Sequence, residues 1–222
     1  MNRILSINAS VRVNRSLSRD LSRRFEQGWL ARFPQDSVIN RDVGAEPPPV
    51  ISEAWIDAAF TDSESRSDAQ HAELAVSEEL ICEVEAADVV VIATPMYNYG
   101  MPAGLKAWVD QIVRINRTFD FDLARGDYPL QPLLRDKVLV MLTSTGEFGF
   151  EREGPRATMN HLTPHLRTVA KYLGATTDFH LGIEYQEFGD GRHADSKAAA
   201  HGRIPQLIEE VAGVLSRSSQ KS

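Results

Sequence analysis

Three short segments hold most of the side chains that could do chemistry in this 222-residue chain. The first runs from Ala9 to Ser18 and gathers Ser10, Ser16 and Ser18 with Arg12 and Arg15. Its hydroxyls, with the unpaired N–H groups of a helix starting near Ser16, suit a phosphate. Ser16 would also serve as a plain helix cap, a frequent role for serine. A cap alone does not call for three serines and two arginines within nine residues. The chain has neither the G-x-x-x-x-G-K-[ST] loop of triphosphate binders nor the G-x-G-x-x-G turn of dinucleotide binders. A phosphate held by hydroxyls in place of glycines favours a mononucleotide such as FMN.

The second segment runs from Pro95 to Pro102, two prolines that bracket and stiffen Met96, Tyr97, Asn98 and Tyr99. A flavin ring needs a flat apolar wall and backbone donors and acceptors along its pyrimidine edge, and such a loop supplies both. The bland alternative is a tight turn with two surface tyrosines. The third segment, Thr143 to Gly149, contains Ser144, Thr145, Gly146 and Glu147, and its glycines let backbone approach the same ring.

These segments need a scaffold that brings them together, and the apolar pattern supplies one. Residues 3–8, 37–40, 88–94, 137–142 and 176–183 read as five strands. Val89, Val90, Val91 and Ile92 form an unbroken β-branched run, the mark of a strand buried on both faces. Leu17, Leu21 and Phe25, spaced by four and continued by Trp29, make one apolar stripe on a helix. Further helices are predicted over residues 53–60 and 67–87, around Leu105, Trp108, Val109 and Ile112, up to Gly174, and over 196–215. Alternating strands and helices predict an α/β fold: a five-stranded parallel sheet with right-handed crossovers and helices on both faces. Ligands then bind beyond the carboxyl ends of the strands, and each of the three segments follows a predicted strand. Residues 117–135 break the rhythm and read as an inserted loop or hairpin in a single domain, 1–215. Residues 216–222 read as a polar tail, expected to fray.

Composition narrows the partners. Charged residues are 25% and the net charge is −7, with acids and bases interspersed, which argues against a nucleic-acid footprint. No apolar run approaches the roughly 20 residues needed to cross a bilayer, and the first residues do not read as a secretory signal. The lone Cys82 rules out an internal disulfide framework. The expectation is a cytoplasmic protein with no membrane or nucleic-acid partner.

In their order along the chain, these features resemble the FMN-dependent NADH:quinone oxidoreductases known as azoreductases. The resemblance rests on Ser10, the Ser16-Leu17-Ser18 turn, the stretch from Pro95 to Asp110, and Arg117-Thr118-Phe119. It continues through Thr143 to Gly146, Gly154-Pro155, Leu162 to Leu166 and Leu173-Gly174, and so spans nearly the whole chain. It implies a flavodoxin-like fold and a homodimer with one non-covalent FMN per subunit at the interface. NADH or NADPH would be the donor, and a quinone or azo compound the acceptor. By this resemblance Ser10, Ser16, Leu17 and Ser18 hold the phosphate. Met96, Tyr97, Asn98 and Tyr99 line the flavin, and Ser144, Thr145, Gly146 and Glu147 flank it. Such proteins usually carry glycine or another small residue where Glu147 stands; a carboxylate there would repel an anionic reduced flavin or change substrate preference. Ping-pong hydride transfer asks for orientation more than for a protein acid or base, so no catalytic side chain is assigned. Phe119, Phe121 and Tyr128 are candidate walls of the acceptor pocket.

Other features read as structural. His161 and His165 are four apart, but Thr163 and Pro164 lie between them and no metal is expected. Cys82 sits near Leu80, Ile81 and Val84 and is expected to be packed. Glu78, Glu79, Glu83 and Glu85 are expected on a solvated helix face, and Lys106 and Asp110 as a surface pair. Two other functions fit the same fold. A single-electron FMN carrier is disfavoured by the 117–135 insert, and a non-catalytic protein finds support only in Glu147.

Overall fold

The computed structural model describes residues 1–219. In chain order the elements are β1 (Arg3–Asn8), α1 (Leu17–Arg32), β2 (Ser37–Asp42), α2 (Glu53–Phe60), α3 (Asp68–Glu73), α4 (Ala75–Ala86) and β3 (Val89–Pro95). There follow α5 (Ala103–Ile112), β4 (Phe119–Phe121), β5 (Leu130–Pro132), β6 (Lys137–Ser144), α6 (Thr163–Ala170), β7 (Ala175–Ile183) and α7 (Gly191–Ser219).

The five predicted strands form a parallel sheet in the order β2-β1-β3-β6-β7. Leu5 lies opposite both Ile39 and Val90, and Ile92 opposite Met141. Every residue of β3 and β6 is buried, which explains their long apolar runs: a strand covered on both faces has no polar side to show. Successive side chains enter two cores. Leu5, Val90, Ile92 and Met141 meet Ile81 of α4, Leu105 and Trp108 of α5 and Leu166 of α6. Ile4, Val91, Val140 and Leu142 meet Phe25 and Trp29 of α1 and Ile204, Leu207 and Val211 of α7. Trp29 is fully buried against Phe25 and Phe33, and its indole N–H donates to Asp36 at 3.0 Å. Truncating such a side chain to alanine costs about 3–5 kcal/mol.

Helix α1 starts where predicted because Ser16, in extended backbone, accepts the Arg19 N–H at 3.3 Å. The chain leaving α6 closes at Gly174, whose φ of 80° is left-handed. The helix predicted over 67–87 is instead two, broken at Leu74 (ψ −2°). Leu74 is buried with Trp55, Ala58 and Ala59 in a small third cluster, so packing under α2 outweighs a continuous helix. Helix α7 begins at Gly191 rather than residue 196, because Asp190 accepts the Arg192 N–H at 3.0 Å and caps it early. It runs through Ser219, so residues 216–219 of the predicted tail are helical; residues 220–222 lie outside the described residues. Residues 117–135 do contain a hairpin, β4 antiparallel to β5, with Phe119 opposite Pro132.

Two expectations for α4 are corrected. Cys82 is exposed, because Leu80, Ile81 and Val84 take the buried stripe. The glutamates are not a bare solvated face. Arg41 of β2 pairs with Glu79 and Glu83, Arg114 with Glu78, and Arg117 with Glu78 and Glu85. Lys106 and Asp110 form the expected surface pair at 2.5 Å. No helix among the described residues is long and apolar enough to cross a membrane.

Candidate functional site

The sheet order turns back at β1: β2 lies on one side of it and β3 on the other, so the loops leaving β1 and β3 diverge. A cavity of about 310 Å³ opens there. Ser10, Val11, Arg12, Arg15, Ser16 and Leu17 line it from the first loop, and Pro95, Met96 and Tyr97 from the second. Ser144 and Gly146 line it from the third. Gln186 and Glu187, from the loop after β7, complete the wall, although no sequence signal had marked them.

The first loop is held from behind. Arg19, in the first turn of α1, donates to the Ser10 carbonyl through Nε (3.2 Å) and Nη2 (2.6 Å). The same guanidinium grips both carboxylate oxygens of Asp42, each at 2.6 Å. That contact is the main reason the Asp42 carboxyl is held below its ordinary range. Gly44 passes so close that a Cβ there would come within 2.2 Å of the Ser10 carbonyl oxygen. Ser16 both caps α1 and lines the cavity, so its two possible roles coexist. Ser18 is fully buried and hydrogen-bonded to Ser16 at 3.3 Å, supporting the cavity rather than lining it. Arg12 and Arg15 have no ion-pair partner among the described residues. Arg15 also holds a left-handed backbone (φ 61°), which costs on the order of 1 kcal/mol in a non-glycine residue.

In the second loop Tyr97 and Gly100 exchange both backbone hydrogen bonds at 3.0 Å. They close a two-residue turn in which Asn98 and Tyr99 have φ of 48° and 66°, the conformation of a mirror-image hairpin turn. Met96 and Tyr97 line the cavity, whereas Asn98 and Tyr99 form the turn's tip. The Tyr99 ring meets Phe150 at 6.2 Å.

The third loop is sewn to both neighbours. The Met96 N–H donates to the Ser144 carbonyl at 2.8 Å, and the N–H groups of Tyr185, Gln186 and Glu187 donate to the carbonyls of Glu147, Thr145 and Gly146. Thr145 turns away from the cavity; its hydroxyl donates to the Glu147 carbonyl at 2.8 Å. The Glu147 carboxylate faces Arg156 at 3.1 Å, and that guanidinium also lies over the Phe148 ring at 4.5 Å. The three candidate acceptor walls do not line this cavity. Phe119 is half-buried edge-on to Tyr172, and Phe121 and Tyr128 are exposed, Tyr128 by 86%.

Residues 2–206 match a family model described as Flavodoxin-like fold. A protein of Idiomarina loihiensis named FMN-dependent NADH:quinone oxidoreductase 2 is 51% identical over 229 residues, covering 100% of this chain and 95% of that protein. FMN-dependent NAD(P)H:quinone oxidoreductase 1 of Pseudomonas aeruginosa is 42% identical over 208 residues, covering 93% and 98%. Among solved structures, an azoreductase from Bacillus anthracis has a similar fold, with a TM-score of 0.83 at 21% identity, covering 95% of this chain and 100% of that one.

Proposed function

Because the chain belongs to the flavodoxin-like family of FMN-dependent NADH:quinone oxidoreductases, we propose that it binds FMN non-covalently and passes electrons from NADH or NADPH to quinones and azo compounds. The observation that carries this reading is the cavity at the sheet's switch point, where hydroxyls and unpaired guanidiniums stand beside Met96 and Tyr97. This donor set fits FMN. Ser10, Ser16, Arg12, Arg15 and the first turn of α1 would hold a phosphate dianion. Leu17 belongs to the same turn, and Ser18 braces Ser16 from the interior. Met96 and Tyr97 would give the ring an apolar wall, with Asn98 and Tyr99 at its edge. Ser144, Thr145, Gly146 and Glu147 would place main chain along the ring's polar edge.

Bound FMN supplies two-electron chemistry, accepting a hydride from one partner and releasing it to the next. The chain's part is to orient donor and acceptor in turn at one cleft, in ping-pong order. The pairing of Glu147 with Arg156 would offset the charge of a carboxylate at this position beside the cofactor. We take the protein to be a cytoplasmic homodimer. Exposed apolar side chains such as Ile56 and Phe60 of α2, the latter 70% exposed, favour a covering partner. Phe119, Phe121 and Tyr128 remain the proposed acceptor walls, contributed to the partner's cleft.

The test is an anaerobic visible spectrum of FMN-reconstituted protein, before and after NADH and then a quinone. Bleaching by NADH and recovery with quinone are expected. Failure to take up FMN would remove the cofactor assignment, and bound FMN that neither NADH nor NADPH bleaches would remove the oxidoreductase assignment.

A further inference from the structure

A second cavity, of about 240 Å³, lies between the ends of β6 and β7 on the α6 side of the sheet. Met96 lines both cavities, so the two are neighbours. The second cavity opens to solvent, and most of its lining residues are polar or charged, among them Thr143, Glu151, Asn160, Thr163, His180 and Glu184. The electron-transfer reading above uses none of them.

The chemistry proposed above has a proton to account for. NADH surrenders a hydride, which is two electrons with one proton. A quinone that becomes a quinol gains two electrons and two protons. Hydride supplies the electrons and one proton, and the other must come from solvent. Hydride leaving the donor takes no solvent proton, so the demand falls on the acceptor's step.

Among residues lining the two cavities, His180 is the one whose ordinary pKa lies near neutrality. Its Nε2 is 2.7 Å from the Thr143 hydroxyl, which lines this cavity together with Met96, the residue that also lines the cofactor cavity. A hydroxyl accepts and donates at once, so it can pass a proton on. On the other side of the ring, Nδ1 faces Glu151 at 3.6 Å. Glu151 is fixed in turn by the Thr163 hydroxyl at 2.8 Å and the Asn160 amide at 3.2 Å. Gly182 leaves room for this line of groups: a Cβ there would sit 2.8 Å from the Thr143 oxygen and 3.4 Å from the His180 ring.

We propose that this cavity is the proton entrance of the active site, with His180 giving one proton per turnover to the acceptor's step through the Thr143 hydroxyl. Glu151 orients the ring and favours its recharging from solvent. Burial lowers the His180 pKa, as does Arg167, while Glu151 and Asp178 raise it, and Glu184 is a further carboxylate on the same wall. At neutral pH the ring is therefore mostly uncharged, ready to take a proton and release it. The proposal rests on the oxidoreductase reading, and its test separates the two.

The experiment is anaerobic stopped-flow on FMN-loaded wild type, H180Q and T143V, timing bleaching by NADH and recovery with quinone separately across acid to neutral pH. Bleaching should keep its wild-type rate, and recovery should slow by about a hundredfold, within the range of general acid catalysis. H180Q should also lose the pH dependence of recovery, and added imidazole should restore part of the rate in H180A. As a readout independent of turnover, NMR titration of His180 in FMN-free protein should move to lower pH in E151Q. Wild-type recovery rates and pH profiles in both H180Q and T143V would overturn the proposal. So would equal slowing of both steps with weakened FMN binding, the signature of a merely structural role. Wild type that NADH cannot bleach would instead overturn the oxidoreductase reading, and that failure is visible before any variant is compared.

Discussion

The two cavities share Met96 as a wall yet follow opposite plans. At the switch point, Arg12 and Arg15 line the cavity without an ion-pair partner among the described residues, Glu187 being the one carboxylate on the same wall. Next door, Asn160 donates to the Phe150 carbonyl, Glu151 and Thr163, and its own oxygen accepts the N–H groups of Leu162 and Thr163. The difference is one of electrostatic purpose. A site for an anion keeps donors unmatched until the ligand arrives. A network that holds a loop and conducts protons links every donor to an acceptor.

Four variants test that contrast, from the largest expected effect to the smallest. The double change Ser10→Ala, Ser16→Ala should raise the FMN dissociation constant by roughly a hundredfold. Each hydrogen bond to a charged group contributes about 1.5–3 kcal/mol, or tenfold or more. Riboflavin, which lacks the phosphate, should bind nearly as before; fluorescence titration with both ligands would break the contrast if they weakened together. Asn160→Ala should act on the other plan, lowering stability by about 3 kcal/mol in urea unfolding because two buried N–H groups lose their acceptor. FMN affinity should change far less, and an equal loss of affinity would merge the two cavities into one functional unit.

Asp42→Asn sharpens the contrast at the back of the first loop, at a stability cost of about 1 kcal/mol, discounted for the partial exposure of Asp42. The sign of its pH dependence follows from a carboxyl whose pKa is lowered by folding. Its contribution is complete above the ordinary value of 3.8 and is lost as pH falls through the lower folded value. Acid unfolding curves of the variant should lack that increment, and identical wild-type and variant curves would remove Asp42 from the account. Asp110→Asn, on the surface pair with Lys106 and outside both cavities, should shift thermal stability by less than about 0.5 kcal/mol. A larger shift would show that burial near a cavity is not what sets these effects.

Much of this was legible in the sequence where a residue's neighbours in space are its neighbours in the chain. The runs in β3 and β6 declared burial on both faces, and the three loops declared themselves by following those strands and β1. What escaped notice depends on contacts between distant residues. Arg19 reads as an ordinary helical arginine until β2 brings Asp42, 23 residues later, against it. His180 and Thr143 are 37 residues apart, and only the parallel pairing of β6 with β7 joins them. The tip of the Tyr97–Gly100 turn is placed on the flavin by the resemblance, with Met96 and Tyr97. The positive φ of Asn98 and Tyr99 at that tip follows from the Tyr97–Gly100 backbone pairing, which residue type alone did not declare. Cys82 followed the apolar stripe in sequence, but the helix phase turned it outward.

The strand order has a consequence for how the protein comes into being. A ribosome delivers β1 and β2 early, but the far side of β1 stays an open edge until β3 emerges, and β6 and β7 must still add beyond it. The wall of the switch-point cavity runs from Ser10 to Glu187, so no pocket exists for FMN until most of the polypeptide has been made. Flavin capture is therefore a late event in biogenesis, and occupancy adds stability only as the logarithm of free FMN over its dissociation constant. Nascent molecules released into a flavin-starved cell would meet proteases without that protection, and the standing level of this enzyme would then track the cell's flavin supply.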